Sequence, residues 1–407
     1  MEKYCEAGKS GPKIKSDCLI GISLRESGGI QLDINSKVES MYGDQNRALL
    51  MQLAEFFGIT NATIKFEDAG ALPYVIMARF EAAVRKLGVD EGKRFIPDHL
   101  FEFYPAERDR FRRSRLYLPG DQPKLSLNAS IHNPDGLILD LEDSVAPQVK
   151  AETRILVRNA LRSVDFKKSE RQVRINQGEL GLLDLEEVIP YGVHLILVPK
   201  VETAEELVAV DRKVDEIIKD NPDLEIGDIF FMPIIESARG TLNADAIAAA
   251  SKRTVALAIG LEDYTADLGV ARTKEGKESL FARQMLINAA RANGIQAIDT
   301  VYSDVADMEG LRESVLEAKQ LGFDGKGCIH PRQIRVIHEA FSPTDVEVDR
   351  AKKIVMAAED AKKRDLGVVS LGSKMIDPPV IKRAERVIEI AIKENILDNN
   401  WSEDHEG

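Results

Sequence analysis

Apolar positions recur along the chain with two different periods, and the order in which the periods alternate predicts its organisation. Cys18–Leu24 and Ile30–Ser36 alternate with period two around an Arg-Glu-Ser-Gly-Gly turn and read as strands. Asn46–Phe57 puts Leu49, Leu50, Leu53 and Phe57 on one side at helical spacing. Ala62–Phe66 reads as a further strand, and Pro73–Leu87 as a helix with Ile76, Phe80 and Val84 on its inner stripe. This order over residues 1–87 predicts a small α+β domain. Its first segment, Met1–Lys13, is polar and glycine-bearing and is expected to be mobile. Residues 88–111 are charged and aromatic, with Phe101, Phe103 and Tyr104, and read as a linker docked on the next domain.

From Ser114 the rhythm changes. Candidate strands are Ser114–Leu118, Gly136–Leu141, Gln172–Asn176, Leu195–Pro199, Ile229–Ile235, Val255–Ile259, Ala297–Tyr302 and Lys326–Ile329. Helical patterns lie between most of them, at Lys150–Arg162, Thr203–Lys219, Asn243–Ala250, Ser279–Asn293 and Met308–Leu321. Eight strands alternating with helices predict an α/β fold, a (β/α)8 TIM barrel over 112–343. A doubly wound sheet is the rival, but the glycine-rich phosphate fingerprint after the first strand is missing. Residues 344–407 predict a C-terminal helical extension: helices Val346–Arg364 and Val380–Asn395 joined by the loop Gly367–Pro379. The acidic end, Trp401–Gly407, is expected to fray.

Composition narrows the function classes. The chain has 407 residues, 44% apolar and 30% charged, as expected of a globular protein with a sizeable core. A formal charge of -13 argues against a nucleic-acid partner. No stretch approaches the roughly 20 apolar residues of a membrane span. The N-terminal residues lack an apolar signal core, and Cys5, Cys18 and Cys328 form no disulfide or zinc pattern. A cytoplasmic location is the expectation.

The chemistry sits where strands end. Leu139–Ser144 runs into Asp140, Glu142 and Asp143; Phe230–Ile235 runs into Glu236; Val255–Gly260 runs into Glu262 and Asp263. In a barrel these ends share one rim, where such enzymes carry their sites. Arg113 and the Pro119-Gly120 turn belong to the first strand, Arg174 and Asn176 to the third, Lys200 to the fourth, and Arg239 follows Glu236. Glu236 and Asp263 suit two ligands of a hard cation such as Mg2+. Arg174 suits a substrate carboxylate. Metal plus arginine implies a small oxo-acid and a carbon–carbon bond made or broken beside a carbonyl. Glu142, Asp143 and Glu262 read as groups orienting the arginines or metal waters. Asp299 reads equally as a functional or a capping residue, and His330 as a structural hydrogen-bonding group. Lys200 is a candidate Schiff-base lysine, although many acids surround it. Asp377, on a loop before two prolines, reads as a mobile catalytic acid or a turn residue.

Several segments resemble one family in order along residues 112–394: Arg112–Gly120, Leu139–Val145, Val173–Asn176, Ile235–Gly240, Gly260–Asp263, Gly322–Gln333 and Gly372–Pro378. The chain resembles the citrate lyase beta subunit and the malyl-CoA and citramalyl-CoA lyases of the HpcH/HpaI aldolase superfamily. The resemblance implies that Glu236 and Asp263 match magnesium ligands, and that Arg113 and Arg174 contact substrate or thioester. It places Glu142 and Asp143 in the outer shell of the metal, and Glu142, Asp143, Pro119 and Gly120 are expected to help bind the substrate. It also implies that Asp377 acts as acid or base from a neighbouring subunit, which makes a homotrimer or hexamer the expected assembly.

Residues 8–87 resemble the citrate lyase gamma subunit, an acyl carrier protein, through Val38–Asp44 and Phe66–Leu72 with Ala78-Arg79. The carrier's Gly-Thr-Leu-Glu-Ser pattern is replaced by Gly11–Asp17, with Lys15 near the modified position and Ser16 one place off. Loss of the covalent phosphoribosyl-dephospho-CoA arm is expected, with Ser16 the candidate if it persists. The domain then serves packing, assembly or docking. The expected activity is magnesium-dependent, reversible cleavage of a 3-hydroxy-acyl-CoA thioester such as malyl-CoA or citramalyl-CoA to acetyl-CoA and an oxo-acid. The second reading is a citrate lyase beta-type subunit acting on a citryl thioester, with citrate lyase-like partner subunits. The third is a metal-dependent aldolase on free oxo-acids, and the last a non-enzymatic scaffold.

Overall fold

The computed structural model describes residues 3–101, 104–363, 369–371 and 374–401. The chain forms two compact units, Met1–Ile334 and Arg335–Gly407.

The first unit begins with a four-stranded sheet. Its strands are β1 (Tyr4–Gly8), β2 (Cys18–Leu24), β3 (Ile30–Ser36) and β4 (Ala62–Asp68), in the order β1-β2-β4-β3. β3 runs parallel to β4, and the other pairs are antiparallel. Ile20, Ile22, Ile64 and Phe66 are fully buried on it. The helix Pro73–Leu87 packs on this sheet and buries Ile76, Phe80 and Val84 as the periodicity predicts. Proline suits its first turn, where no amide donor is needed, and Gly88, at φ 70°, ends it in the left-handed region. Two expectations fail here. Tyr4–Gly8 is an edge strand on β2 rather than a mobile tail, because its amides find partners that its own sequence cannot announce. The first helix is Glu39–Phe56, longer than expected, since its opening turns leave even Met41 and Tyr42 exposed and so show no buried apolar stripe.

The barrel follows as predicted. β5 (Ser114–Pro119), β6 (Gly136–Asp140), β7 (Glu170–Arg174), β8 (Leu195–Val198), β9 (Phe230–Ile235), β10 (Ala256–Ile259), β11 (Gln296–Asp299) and β12 (Gly325–Cys328) are all parallel and close on themselves. Ile138, Leu195, Leu197, Met232, Ile234, Ala258 and Ile298 belong to one buried apolar cluster. The helices Gly178–Val188 and Leu261–Asp267 were not anticipated; the second is under two turns long. No described helix is long and apolar enough to cross a membrane.

The carrier-like sheet domain and the barrel are tied by buried charge. Arg79 on the helix Pro73–Leu87 is fully buried between Asp17, at 2.9 Å, and Glu152 of the barrel helix Lys150–Ser163, at 3.3 Å. Arg158 on that barrel helix is fully buried between Glu81, at 2.7 Å, and Glu187, at 2.9 Å. Residues 88–101 and 104–111 contact both parts. The Phe95 amide donates to Glu81, its ring meets Phe56 edge-on, and the Tyr104 hydroxyl donates to the Ser169 carbonyl. Phe101 is exposed, and Phe103 lies outside the described residues.

The second unit contains the helices Asp345–Lys363 and Pro378–Lys393. Between them, part of the expected loop is a hairpin, β13 (Val369–Leu371) against β14 (Lys374–Ile376). Arg364, Gly367 and Gly372 lie outside the described residues. Trp401 does not fray: it is buried in a cluster with Ala351, Ile354, Val355, Ala384 and Ile388, since a large ring gains more from that cluster than from water.

Asp17 has no cationic partner besides Arg79 among the described ion pairs. Arg79→Met is therefore expected to strand a buried carboxylate and cost about 3–5 kcal/mol, read as a lower urea midpoint. A loss below about 1 kcal/mol would mean the tie contributes no more than a surface pair.

Candidate active site at the C-terminal rim of the barrel

β6 is buried throughout and ends in Asp140, which faces the end of β7. Asp140 accepts from the backbone amides of Glu142, at 3.0 Å, and Ser144, at 3.2 Å, so the chain turns tightly just beyond the strand. Arg174 is its cross-strand partner and forks onto it, Nε to Oδ1 at 2.6 Å and Nη2 to Oδ2 at 2.7 Å. Burial pushes the Asp140 carboxyl up, but Arg174 overcomes it and holds the group below its usual range. Burial also opposes the charge of Arg174, and Asp140 reverses that, so the guanidinium stays charged.

The third nitrogen of Arg174 points to further acids. Nη1 is 2.9 Å from Glu142 Oε2 and 3.3 Å from Asp143 Oδ2. The Glu142 contact lacks the alignment of a hydrogen bond, so Oε2 has no hydrogen-bond donor of its own. Burial raises Glu142, with Arg174 opposing.

Glu236 directly follows β9 and is 6% exposed. Its Oε2 accepts the Lys200 amide at 2.9 Å. A Cβ at position 260 would lie 2.2 Å from Glu236 Oε1, so only glycine leaves room for this carboxylate. Burial, then the charges of Glu142 and Asp263, push Glu236 up to about 8. Asp263 stands half-exposed in the first turn of the helix Leu261–Asp267. The Lys200 ammonium lies among these acids, 3.5 Å from Glu142 and Asp143 and 3.6 Å from Asp263. Lys200 has φ 52°, a left-handed backbone that a non-glycine residue rarely adopts, as happens at functional sites. Burial lowers its pKa, but the carboxylates more than reverse this. A protonated lysine is the wrong state for a Schiff-base nucleophile.

Asp140, Asp143, Arg174, Glu236 and Asp263 line one cavity of about 510 Å³, together with Tyr117 and Pro119. The donor set fits a magnesium ion. Magnesium takes one or two carboxylates and completes its shell with water and substrate oxygens. Among the described residues no three His, Cys, Asp or Glu side chains form a ready-made cage. Glu236 nonetheless carries an excess of negative neighbours that a cation beside Asp263 would relieve.

Glu262 and Asp299 also line this cavity, and the other expected residues lie elsewhere. Arg113 is a correction. It precedes β5, six residues or about 20 Å of strand from the rim, with Nε 2.9 Å from Asp135 and its guanidinium over Phe111. Its depth on the strand removes it from the carboxylates at the rim. Gly120 is buried against β6 rather than lining the cavity: its amide donates to the Asp140 carbonyl at 2.9 Å, and a Cβ would lie 2.6 Å from that oxygen. Glu262 pairs with Arg272, and Arg239 is exposed beside Glu202. Asn176 bonds Asp184, and His330 Nδ1 accepts the Arg332 amide. Asp299 is buried between Lys326 and Arg283, an ion pair rather than a cap. Asp377 belongs to the second unit, exposed, as the residue before the helix Pro378–Lys393. Ser16 is half-buried with φ 57°, its amide on the Ala69 carbonyl. Sequence reasoning missed Arg115 and Tyr117, which line the cavity from β5. Counting back by twos from Pro119 along that strand would have found them.

Residues 113–331 match the family described as HpcH/HpaI aldolase/citrate lyase, and residues 8–87 match the carrier-protein family described as malonate decarboxylase delta subunit. The citrate lyase subunit beta of Haemophilus influenzae is 44% identical over 284 residues, 69% of this chain and 97% of that protein. The mitochondrial citramalyl-CoA lyase of Homo sapiens is 34% identical, over 69% of this chain and 85% of its own. A crystal structure of CitE from Mycobacterium tuberculosis with magnesium, acetoacetate and coenzyme A superposes with a TM-score of 0.57 at 30% identity. It covers 70% of this chain and 99% of that one. With the family match over the barrel and relatives of this identity and coverage, the chain belongs to the HpcH/HpaI aldolase/citrate lyase family of carbon–carbon lyases.

Proposed function

We propose that the barrel cleaves a citryl thioester to oxaloacetate and an acetyl thioester, with magnesium held by Glu236 and Asp263. The observation that carries this reading is the identity of 44% across 97% of a citrate lyase subunit beta, against 34% for a citramalyl-CoA lyase. The relatives thus favour the second of the sequence-based readings over malyl-CoA or citramalyl-CoA. The CitE complex with magnesium, acetoacetate and coenzyme A supports a magnesium-dependent site for an oxo-acid and a coenzyme A substrate.

The residues divide the work as follows. Arg174, fixed by Asp140, supplies the positive charge that attracts the carboxylate beside the carbinol carbon. Glu142 and Asp143 orient Arg174 and the Lys200 ammonium. Magnesium, when bound, polarises the carbinol oxygen and offsets its developing charge. A base takes the hydroxyl proton, and the bond from the carbinol carbon to the methylene breaks. The electron pair passes to the thioester as its enolate, which is protonated on carbon to give the acetyl thioester. The carbinol carbon becomes the keto carbon of oxaloacetate. By family resemblance the acid–base group is Asp377 of a neighbouring subunit in a trimer or hexamer.

We assign the thioester to coenzyme A rather than to an arm on Ser16. Cleavage assays with magnesium on citryl-CoA, citramalyl-CoA and malyl-CoA, with intact mass taken on the same sample, test both points. Fastest turnover of citryl-CoA by unmodified protein is expected. Faster cleavage of malyl-CoA or citramalyl-CoA overturns the substrate, and a mass excess on Ser16 overturns the missing arm.

Two further outcomes are expected. Asp377→Asn lowers kcat by about 10²–10⁴ with the thioester still bound; unchanged turnover would return Asp377 to a turn role. Magnesium binding follows the pKa of Glu236. Since that carboxyl titrates near 8, it is mostly protonated at pH 7, and the metal must displace the proton. Calorimetry in buffers of different ionisation enthalpy should show about one proton released per magnesium at pH 7. Affinity should rise with pH up to about 8 and then level off. Binding without proton release would place the metal away from Glu236.

A further inference from the structure

Arg115 differs from the other deeply buried arginines. Arg79, Arg112 and Arg158 each meet a carboxylate within 3.0 Å. Arg115 is as deeply buried, 2% exposed, and meets none among the described ion pairs. Its Nη1 contacts the Met232 sulfur at 2.8 Å, and its Nε has no hydrogen-bond partner. Burial pushes its pKa below the usual arginine value. A guanidinium in this condition costs stability that an apolar side chain would not.

Its position gives that cost a use. Arg115 lines the same cavity as Arg174, Glu236 and Asp263. It lies on the same face of β5 as Tyr117 and Pro119, two inward positions below the rim. The ring of Tyr117 carries the Arg174 guanidinium 5.3 Å from its centre. The cavity therefore has a metal-binding acidic mouth beside Arg174 and a second, unpaired cation deeper in.

The oxo-acid fragments differ only in what the keto carbon carries besides its carboxylate. Glyoxylate carries hydrogen, pyruvate a methyl group, and oxaloacetate a methylene with a second carboxylate. Neither hydrogen nor methyl has any use for a buried guanidinium. A second carboxylate satisfies its open donors and its charge together.

We propose that Arg115 receives the distal carboxylate of the oxo-acid fragment and so selects a dicarboxylic fragment over its methyl counterpart. This deepens the citryl-thioester reading and rests on it for the substrate, although its test stands apart from turnover. With magnesium present, calorimetry compares oxaloacetate and pyruvate on the full chain, as wild type, Arg115→Met and Arg115→Lys. The wild type should bind oxaloacetate tighter than pyruvate by about tenfold or more. Arg115→Met should bring that ratio near one, and Arg115→Lys should keep part of it. If Arg115→Met does not fold, Arg115→Gln makes the same comparison. A folded, magnesium-binding Arg115→Met or Arg115→Gln protein with the wild-type ratio would overturn the assignment. Faster cleavage of citramalyl-CoA than citryl-CoA by the wild type would overturn the proposed reaction instead, and the binding ratio would still decide Arg115.

Discussion

Several carboxylates at one rim cannot all be ionised out of water unless positive charge stands among them. This constraint organises the site. Asp140 meets it with a two-pronged arginine, and the price is that Arg174 becomes immobile. Glu142 and Asp143 share what Arg174 and Lys200 have left. Glu236 gets an amide and little else, so its carboxyl rises to about 8. The acid with the least compensation is thus the one placed to gain most from a divalent cation. A site that is deficient in charge binds metal with protein groups already in position, which is the preorganisation that electrostatic catalysis needs.

The barrel supplies this crowding because all its strands run the same way. Asp140 and Arg174 are distant in sequence but are register partners across β6 and β7. Glu236 and Gly260 follow the paired ends of β9 and β10, which explains why a side chain at position 260 would collide with the glutamate. The Arg115–Gly136 and Pro119–Asp140 pairings fix which residues of β5 sit deep and which reach the rim. One strand thereby carries a rim residue and a deep cation.

That geometry also explains what could be read from the sequence. β6, β8, β9 and β10 were legible as near-continuous apolar runs, Glu236 and Asp263 stood out as charge just beyond such runs, and the more polar β5, β7 and β12 were legible through the alternation of strand and helix. Arg113 misled for a physical reason. Its charge was visible, but its height on the strand depends on where the ladder begins, and the structure begins β5 at Ser114. Arg115 was overlooked for the opposite reason, since a charged residue inside a strand reads as solvent-facing until the barrel closes around it. Tyr4–Gly8 became a strand only through the edge of β2, and Trp401 found its core only through helices far away in sequence. Partners distant in sequence decide these cases, and local pattern does not register them.

The carrier-like domain shows the same dependence on buried charge, with a consequence for how substrate arrives. A carrier delivers its thioester by moving between sites. Here Arg79 joins Asp17 to Glu152, and Arg158 joins Glu187 to Glu81, each arginine fully buried. Lys9 adds a contact to Asp121 beside the Pro119-Gly120 turn. Undocking would expose or strand each of these charges, and a stranded buried charge is among the costliest local defects a fold can carry. Asp17, next to Ser16, is itself one of the fixed groups, so the segment that holds the arm in a carrier serves here as part of the seam. A domain held this way is suited to bracing the helix Lys150–Ser163, which follows the acidic turn of β6. Substrate that comes as a free thioester needs no such movement, and the rigidity of the seam then favours the catalytic rim instead of opposing delivery to it.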